Sequence, residues 1–359
     1  MRFYRFLVMK KYVILGIFAV VCFFGGYKKH IVDPYEVNYN KVVVNVPVPY
    51  TADLDGNGMI VGEKYLAKDL VNELIKNGFE ARVFSWEDTY SNLNFRQGVD
   101  IVMRGWPELR LPKYHNYVDK DKILVLYETV PYKKWEYRNA DLIFTGSLKN
   151  DVKYKEMGFN SYYIPQFTRL DKFYPDYKDE YKNKLLFIGN KWPNFVTRKT
   201  VYYGLKNGFD LSIYGSGWDE VLSDEQMKFV KKKQVENDEL RYYYSAADIV
   251  FNDTREDMIK AGYISNRIFD ATASGAFVIS DYVKEIEDIY GDSIPMYKNE
   301  DEFVELVNFY LANPEIRKEK AKKAREITVK NFGADKVVAK MALILRKYIN
   351  EHEDKYGKK

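Results

Sequence analysis

Residues 41–48 read KVVVNVPV, a β-branched run of the kind that forms a buried strand. A glycine-bearing loop follows, residues 49–62. Leu66, Ala67, Leu70, Val71 and Leu74 then recur at helical spacing, and Gly78 stands where a left-handed cap closes a helix. Residues 81–84, 100–103, 123–127, 142–144 and 162–164 read as further short strands, with helical stretches between several of them. Strands alternating with helices predict a parallel sheet covered on both faces.

From Ile164-Pro165-Gln166-Phe167 to Pro175 the pattern turns irregular, and residues 176–184 are charged and polar, which places a domain boundary there. A second β/α series begins afterwards. Its predicted strands are 184–188, 210–214, 249–252 and 276–280. Its predicted helices are 238–246, 265–274, 301–311 and 314–331, the last two separated by Asn313-Pro314. A final helix, 334–349, carries Val337, Val338, Met341, Leu345 and Tyr348 on one face. The expected fold class is α/β, with an N-terminal segment at 1–30, a first Rossmann-like domain at 31–180, a second at 181–333, and a helix and tail at 334–359.

A chain of 359 residues is comfortable for two domains, and 46% apolar with 30% charged residues is a globular balance. The net charge of +4 is too even for a nucleic-acid footprint, and no nucleic-acid partner is expected. The run Lys231-Lys232-Lys233 reads as a solvated helix face. The single cysteine, Cys22, excludes an internal disulfide framework and thiolate zinc clusters. His30, His115 and His352 are far apart in sequence, which argues against a histidine metal site. The 32 tyrosines suit clefts that take sugars or bases, although compositional bias accounts for them more simply.

Residues 12–26 (YVILGIFAVVCFFGG) are apolar and glycine, preceded by Arg2, Arg5, Lys10 and Lys11 and followed by Lys28 and Lys29. The run falls short of the roughly 18–20 residues of a membrane-spanning helix. An uncleaved membrane anchor is the expectation, with a cleaved signal or a buried segment as alternatives. The charge bias favours a cytoplasmic N-terminus, but the side of the membrane is open, as is a cytoplasmic location for the whole chain.

Several short patterns carry chemistry. Ser265 is a credible N-cap, and Asn266 and Asp270 share one face of the following helix. A helix N-terminus offers unpaired N–H groups and its dipole to a phosphate, and Asp270 would then lie one turn below, within reach of ribose hydroxyls. The bland alternative is a solvated helix carboxylate. Gly215-Ser216-Gly217-Trp218 follows a strand and lets backbone approach a ligand. Arg198 and Lys199 follow the Gly189 loop and could reach phosphate oxygens or form a solvated pair. Asp53-Leu54-Asp55-Gly56-Asn57-Gly58 opens like a calcium loop, but its twelfth position is Lys64 rather than Glu. Asp53, Asp55, Gly56 and Gly58 therefore read as a glycine-rich turn at the ligand edge of the first strand.

The second half resembles the C-terminal domain of group 1 glycosyltransferases, in the spore-protein CgeB-like branch. The matching stretches are LLFIGN with a later Arg, DLSIYGSGW, ELRYYYSAADIVFND, SNRIFDATASGAFVIS and the run from YKNEDEFVELVNFYLANPE onward, in that branch's order and spacing. IPQFTRLDKFYPD resembles the link between the domains of such enzymes. The resemblance covers residues 184–332 well and 42–175 weakly.

It implies a GT-B fold of two Rossmann-like domains facing a cleft. It also implies transfer from a nucleotide-diphosphate sugar, with retention and with neither metal nor cofactor. Asp270 matches the family's ribose-contacting acid and Arg198 its phosphate-side Arg, both as catalytic candidates. Gly189, Gly215, Ser216, Gly217, Ser265, Asn266 and Arg267 match the donor-side loops. The wider group has a second Glu, and Gly262 stands at its position here. If the reaction inverts, a base is needed from the first domain, with His115, Asp53, Asp55 and Glu128 as candidates. The acceptor is left open between glycan, lipid-linked glycan and protein. A non-enzymatic two-domain sugar-binding protein and a GT-B-fold sugar-nucleotide epimerase are the competing classes.

Overall fold

A computed structural model of the protein describes residues 39–46, 62–85, 98–104, 123–131, 140–191 and 198–356. The hydrophobic run 12–26, the acidic turn at Asp53, Asp55, Gly56 and Gly58, and Cys22, His30 and His115 lie outside the described residues.

The first lobe is built from β1 (Lys41–Val46), α1 (Gly62–Lys76), β2 (Glu80–Ser85), β3 (Val99–Arg104), β4 (Ile123–Glu128), β5 (Leu142–Thr145), α2 (Leu148–Glu156) and β6 (Ser161–Tyr163). Its six strands are all parallel, in the order β2-β1-β3-β4-β5-β6. β4 and β5 are buried along their whole length, as strands covered on both faces must be. Gly78 does close α1, at φ 83°, a conformation that costs glycine little and other residues more.

The second lobe runs β7 (Asn183–Ile188), α3 (Lys199–Lys206), β8 (Leu211–Tyr214), β9 (Val230–Lys232), α4 (Leu240–Ala246), β10 (Ala247–Asn252), α5 (Glu256–Ala261), α6 (Asn266–Ala273), β11 (Val278–Asp281), α7 (Lys284–Tyr290), β12 (Met296–Tyr297), α8 (Glu300–Ala312) and α9 (Pro314–Asn331). Its sheet is again parallel, in the order β12-β11-β10-β7-β8-β9. The chain builds outward from β7 to β9 on one side, then returns to lay β10 on the other side of β7. Loops leaving the C-terminal ends of β7 and β10 therefore diverge, and such a reversal is where an open α/β sheet holds its ligand.

The last helix, α10 (Ala334–Tyr356), leaves the second lobe and packs into the first. Val337, Val338, Met341, Leu345 and Tyr348, the face read from the sequence, join Leu66, Leu70, Leu74, Ile101 and Val125 in one core. The two crossings between lobes lie side by side. Thr168 N–H donates to Phe332 O at 2.9 Å, and Ala334 N–H donates to Thr168 O at 2.9 Å.

The lysine run departs from expectation. Lys231 and Lys232 belong to β9, an exposed edge strand, rather than to a helix. Lysines on an edge strand keep the open ladder in water and discourage pairing with another chain, a role that gives no helical or strand periodicity in three residues. Among the described residues, no helix is long and apolar enough to cross a membrane.

Candidate functional site

The C-terminal ends of both sheets face a cleft of about 530 Å3, within the usual size of small-molecule sites. Its second-lobe wall includes Gly189, Asn190, Gly215, Ser216, Ser265, Asn266, Arg267 and Asp270. Its first-lobe wall includes Glu63, Asp69 and Thr129, and the crossing segment adds Gln166, Thr168 and Arg169. Most of the residues singled out from the sequence thus share one cleft. Arg198 and Gly217 are not among its lining residues.

Two loops pack against each other to form part of the floor. Gly189 N–H donates to Tyr214 O at 2.8 Å, Lys191 N–H to Ser216 O at 3.1 Å, and Ser216 N–H to Asn190 Oδ1 at 2.9 Å. Gly215 sits at φ 138°, and a Cβ there would overlap the Gly189 carbonyl. At Gly189 a Cβ would fall 2.7 Å from Arg267 Nη2. These glycines bring bare backbone to the cleft and leave room for a guanidinium.

α6 presents its N-terminus to the same space. Ser265 has extended backbone at the cap position, but its side chain makes no capping bond. The Asn266 and Arg267 N–H groups and the serine hydroxyl are thereby left for a ligand, while the Ile268 N–H already donates to Ser265 O at 3.0 Å. One turn on, Asn266 Nδ2 donates to Asp270 Oδ2 at 2.9 Å. Asp270 is 9% exposed, and among the described residues its Oδ1 makes no hydrogen bond within 3.5 Å; neither does Asn266 Oδ1 nor the Thr168 hydroxyl, although Thr168 lies near enough to favour the ionised Asp270. Buried polar atoms are nearly always bonded, so a group of open ones on one cleft wall is what a hydroxyl-bearing ligand would complete.

Burial pushes the Asp270 carboxyl up to about 7. The folded chain therefore holds a proton there that the unfolded chain, with its carboxyl at 3.8, releases. The sign follows: the contribution to stability is full below about pH 4 and is lost as pH rises toward about 7. Asp270→Asn should gain stability over the ligand-free wild type, by more near pH 8 than near pH 5. Thermal unfolding of both proteins at the two pH values checks this; an equal gap at both would count against the buried acid.

The two arginines have different surroundings. The Arg198 guanidinium donates to Asp253 Oδ1 at 2.7 Å and to Asn190 O at 2.8 and 3.0 Å, and it is 8% exposed. Burial lowers its pKa to about 10, with Asp253 opposing and Arg267 assisting. Arg267 lies 5.3 Å from the Phe187 ring centre, which Arg198 also approaches at 5.4 Å. Arg267 donates to the neutral amide of Asn252 at 3.1 Å and, unlike the cleft-lining Arg169, has no carboxylate partner among the described residues. The cleft thus holds an uncompensated cation beside a helix N-terminus.

The position of the relatives' additional Glu has a structural reason to be glycine. Gly262 is left-handed, at φ 78°, and a Cβ would meet Glu285 and, at 3.2 Å, the Ser147 hydroxyl. Glu128, a candidate base, is fully buried. It accepts from Thr145 Oγ1 and Tyr154 Oη at 2.7 Å each, and it does not line the cleft. Sequence reasoning overlooked Asp69, Thr129, Thr168 and Arg169. Glu63, one residue short of the twelfth position of the loop that starts at Asp53, carries no expectation from the sequence. Yet Glu63 stands three and four residues before Leu66 and Ala67, a carboxylate in register with the apolar stripe of α1, and that signal was readable. Among the described residues, no group of three or more His, Cys, Asp or Glu is placed to hold a metal ion.

Comparison with known proteins agrees with this architecture. Residues 179–342 match the family described as Glycosyl transferase-like. Spore protein CgeB of Bacillus subtilis (strain 168) is 30% identical over 221 residues, covering 57% of this chain and 68% of that protein. Sucrose-phosphate synthase from Thermosynechococcus elongatus superimposes with a TM-score of 0.65 at 12% identity, over 87% of this chain and 100% of that one. An alpha-glucosyltransferase in complex with UDP-glucose and DNA containing an abasic site does so with a TM-score of 0.60 at 13% identity, over 85% and 99%. At such identities the two structures speak for the GT-B fold alone.

Proposed function

The chain belongs to the CgeB-like group 1 glycosyltransferases, and from that premise we propose that it transfers a sugar from a nucleotide-diphosphate donor held at the N-terminus of α6. The observation that carries the reading is the pairing, on one helix start, of Arg267 without a carboxylate partner among the described residues and Asp270 with a buried oxygen that makes no hydrogen bond among them. Arg267, the Ser265 hydroxyl and the first-turn amides neutralise the diphosphate, and they favour its departure as charge develops on the leaving oxygen. Asp270 and Asn266 take the ribose hydroxyls. The Gly189 and Gly215 loops accept the diphosphate against bare backbone.

Arg198 acts in this reading as a positioning residue. It fixes Asn190 and, across Phe187, repels Arg267 toward the cleft. The acceptor approaches from the first-lobe wall. Retention at the anomeric carbon and independence of metal are carried over from the family resemblance. A glycan, lipid-linked glycan or protein acceptor fits the reading. A neighbour of this fold whose structure contains DNA keeps nucleic acid among the acceptors to be assayed.

Calorimetric titration with UDP-glucose, beside GDP-, ADP- and TDP-sugars, tests the reading. The wild type should bind one of them. Losing charge-assisted hydrogen bonds in Asp270→Ala or Arg267→Ala should cost about 2–3 kcal/mol each, roughly 30- to 150-fold in affinity. Unchanged affinity in both variants, or no binding across the panel, would remove the site assignment.

A further inference from the structure

The five residues that lead into α6, from Lys260 to Ile264, belong to the second lobe by sequence but are fastened to the first. Ser147 Oγ donates to Ala261 O, and Lys149 Nζ donates to Lys260 O at 2.8 Å. Gln166 Nε2 reaches both Thr129 O, at 3.0 Å, and Ile264 O, at 3.5 Å. Between these ties Tyr263 is fully buried. A Cβ on Gly146 would lie 3.4 Å from the Tyr263 ring, so the glycine between β5 and α2 leaves room for that ring.

The tyrosine hydroxyl ends in a polar socket made by first-lobe side chains. Asn150 Nδ2 donates to Tyr263 Oη at 3.1 Å, and the Thr145 and Tyr263 hydroxyls are 2.9 Å apart. Thr145 Oγ1 in turn donates to Glu128 Oε2 at 2.7 Å. With the Thr145 proton given to Glu128, Tyr263 is the donor where the two hydroxyls meet, and Glu128 itself also acts on the phenol. Burial and the Glu128 charge hold the phenol well above its ordinary pKa, so it remains a donor.

A satisfied relay in a dry socket has one low-energy geometry, and loss of any member leaves buried groups unpaired. Tyr263 is also only two residues from Ser265, where α6 begins. Any shift of that helix start must therefore pull on the socket, or be resisted by it.

We infer that Tyr263 is a positioning residue that ties the donor-holding end of α6 to the β5–α2 corner of the first lobe, so that occupation of the donor site is felt on the acceptor side. The inference rests on the donor reading above. It differs from a purely structural role in requiring that a ligand at α6 alter the first lobe through the Tyr263 hydroxyl.

Hydrogen–deuterium exchange on the full chain with and without saturating UDP distinguishes these cases. In the wild type, UDP should slow exchange at residues 264–270 and also at 145–150, by up to about a hundred-fold at a hundred times Kd. In Tyr263→Phe, which keeps the ring and removes only the hydroxyl, protection at 264–270 should persist while that at 145–150 falls at least several-fold. Thr145→Val breaks the same relay from the other lobe and should give the same pattern; it serves if the first variant does not fold. Protection of 264–270 alone in the wild type, or protection of 145–150 that survives in the variants, overturns the inference and leaves the donor reading standing. No protection anywhere in the wild type with UDP, GDP, ADP or TDP tried in turn overturns both.

Discussion

Arg198→Ala should lower the stability of the folded chain by about 3–5 kcal/mol, because it strands a buried carboxylate. Asp253 is 3% exposed, its Oδ1 is bound to the Arg198 guanidinium at 2.7 Å, and its Oδ2 has no hydrogen-bond partner. Without the guanidinium, the Asn190 carbonyl also loses two donors, and with it goes the anchor of the loop that receives Ser216 N–H. Urea denaturation would read the loss as a lower midpoint at unchanged slope. The double variant Arg198→Met with Asp253→Leu removes both charges and should recover much of the stability, as apolar replacements of buried pairs commonly do. If Arg198→Ala instead left the midpoint alone and only weakened donor binding, the arginine would be a ligand contact rather than a clamp.

Gly215→Ala should cost about 2–5 kcal/mol, combining an unfavourable backbone region with an overlap that cannot relax. Its φ is 138°, and the obstruction is the Gly189 carbonyl, which is backbone rather than the tip of a flexible side chain. One of the two loops must move, and both line the cleft. Donor affinity should fall more than tenfold along with the melting temperature. Gly208→Ala is the matched control: its φ is 70°, but a Cβ there meets nothing within 4 Å. It should cost about 1 kcal/mol and leave nucleotide binding intact. Equal losses in the two variants would mean that the close approach of the loops is unimportant.

These two residues also show what the chain discloses before it is folded. The parallel sheets were legible because a strand buried on both faces must be a short continuous apolar run, and residues 123–127 and 142–144 have little other use. Gly-x-Gly after a strand is shared by many tight turns, and Gly215 was legible only because it stands in the ordered stretch DLSIYGSGW. Asp270 was legible as a carboxylate one turn into a helix whose remaining buried residues are apolar or small.

Arg198 could be named but not placed. Its partners Asn190 and Asp253 follow two neighbouring strands, β7 and β10, and no local pattern says whether a guanidinium turns inward or toward the ligand. The short helices α2, α5 and α7 carry little amphipathic signal in so few residues. Tyr263 was invisible for the same reason at longer range: Thr145 lies 118 residues away, and nothing around either residue marks the pairing. Local periodicity reports which face is buried, whereas side-chain pairing across a sheet reversal or between lobes depends on topology.

The return of α10 to the first lobe has a consequence for the order in which the protein is made. Leu66, Leu70 and Leu74 of α1 share a core with Val338, Met341 and Leu345, so the first lobe cannot be finished until a helix translated after the whole second lobe has left the ribosome. The second lobe, whose two cores draw only on residues 170–332, can close earlier. For that interval the nascent chain carries an uncovered apolar groove, and it is in this unfinished state that chaperones or misassembly would meet it.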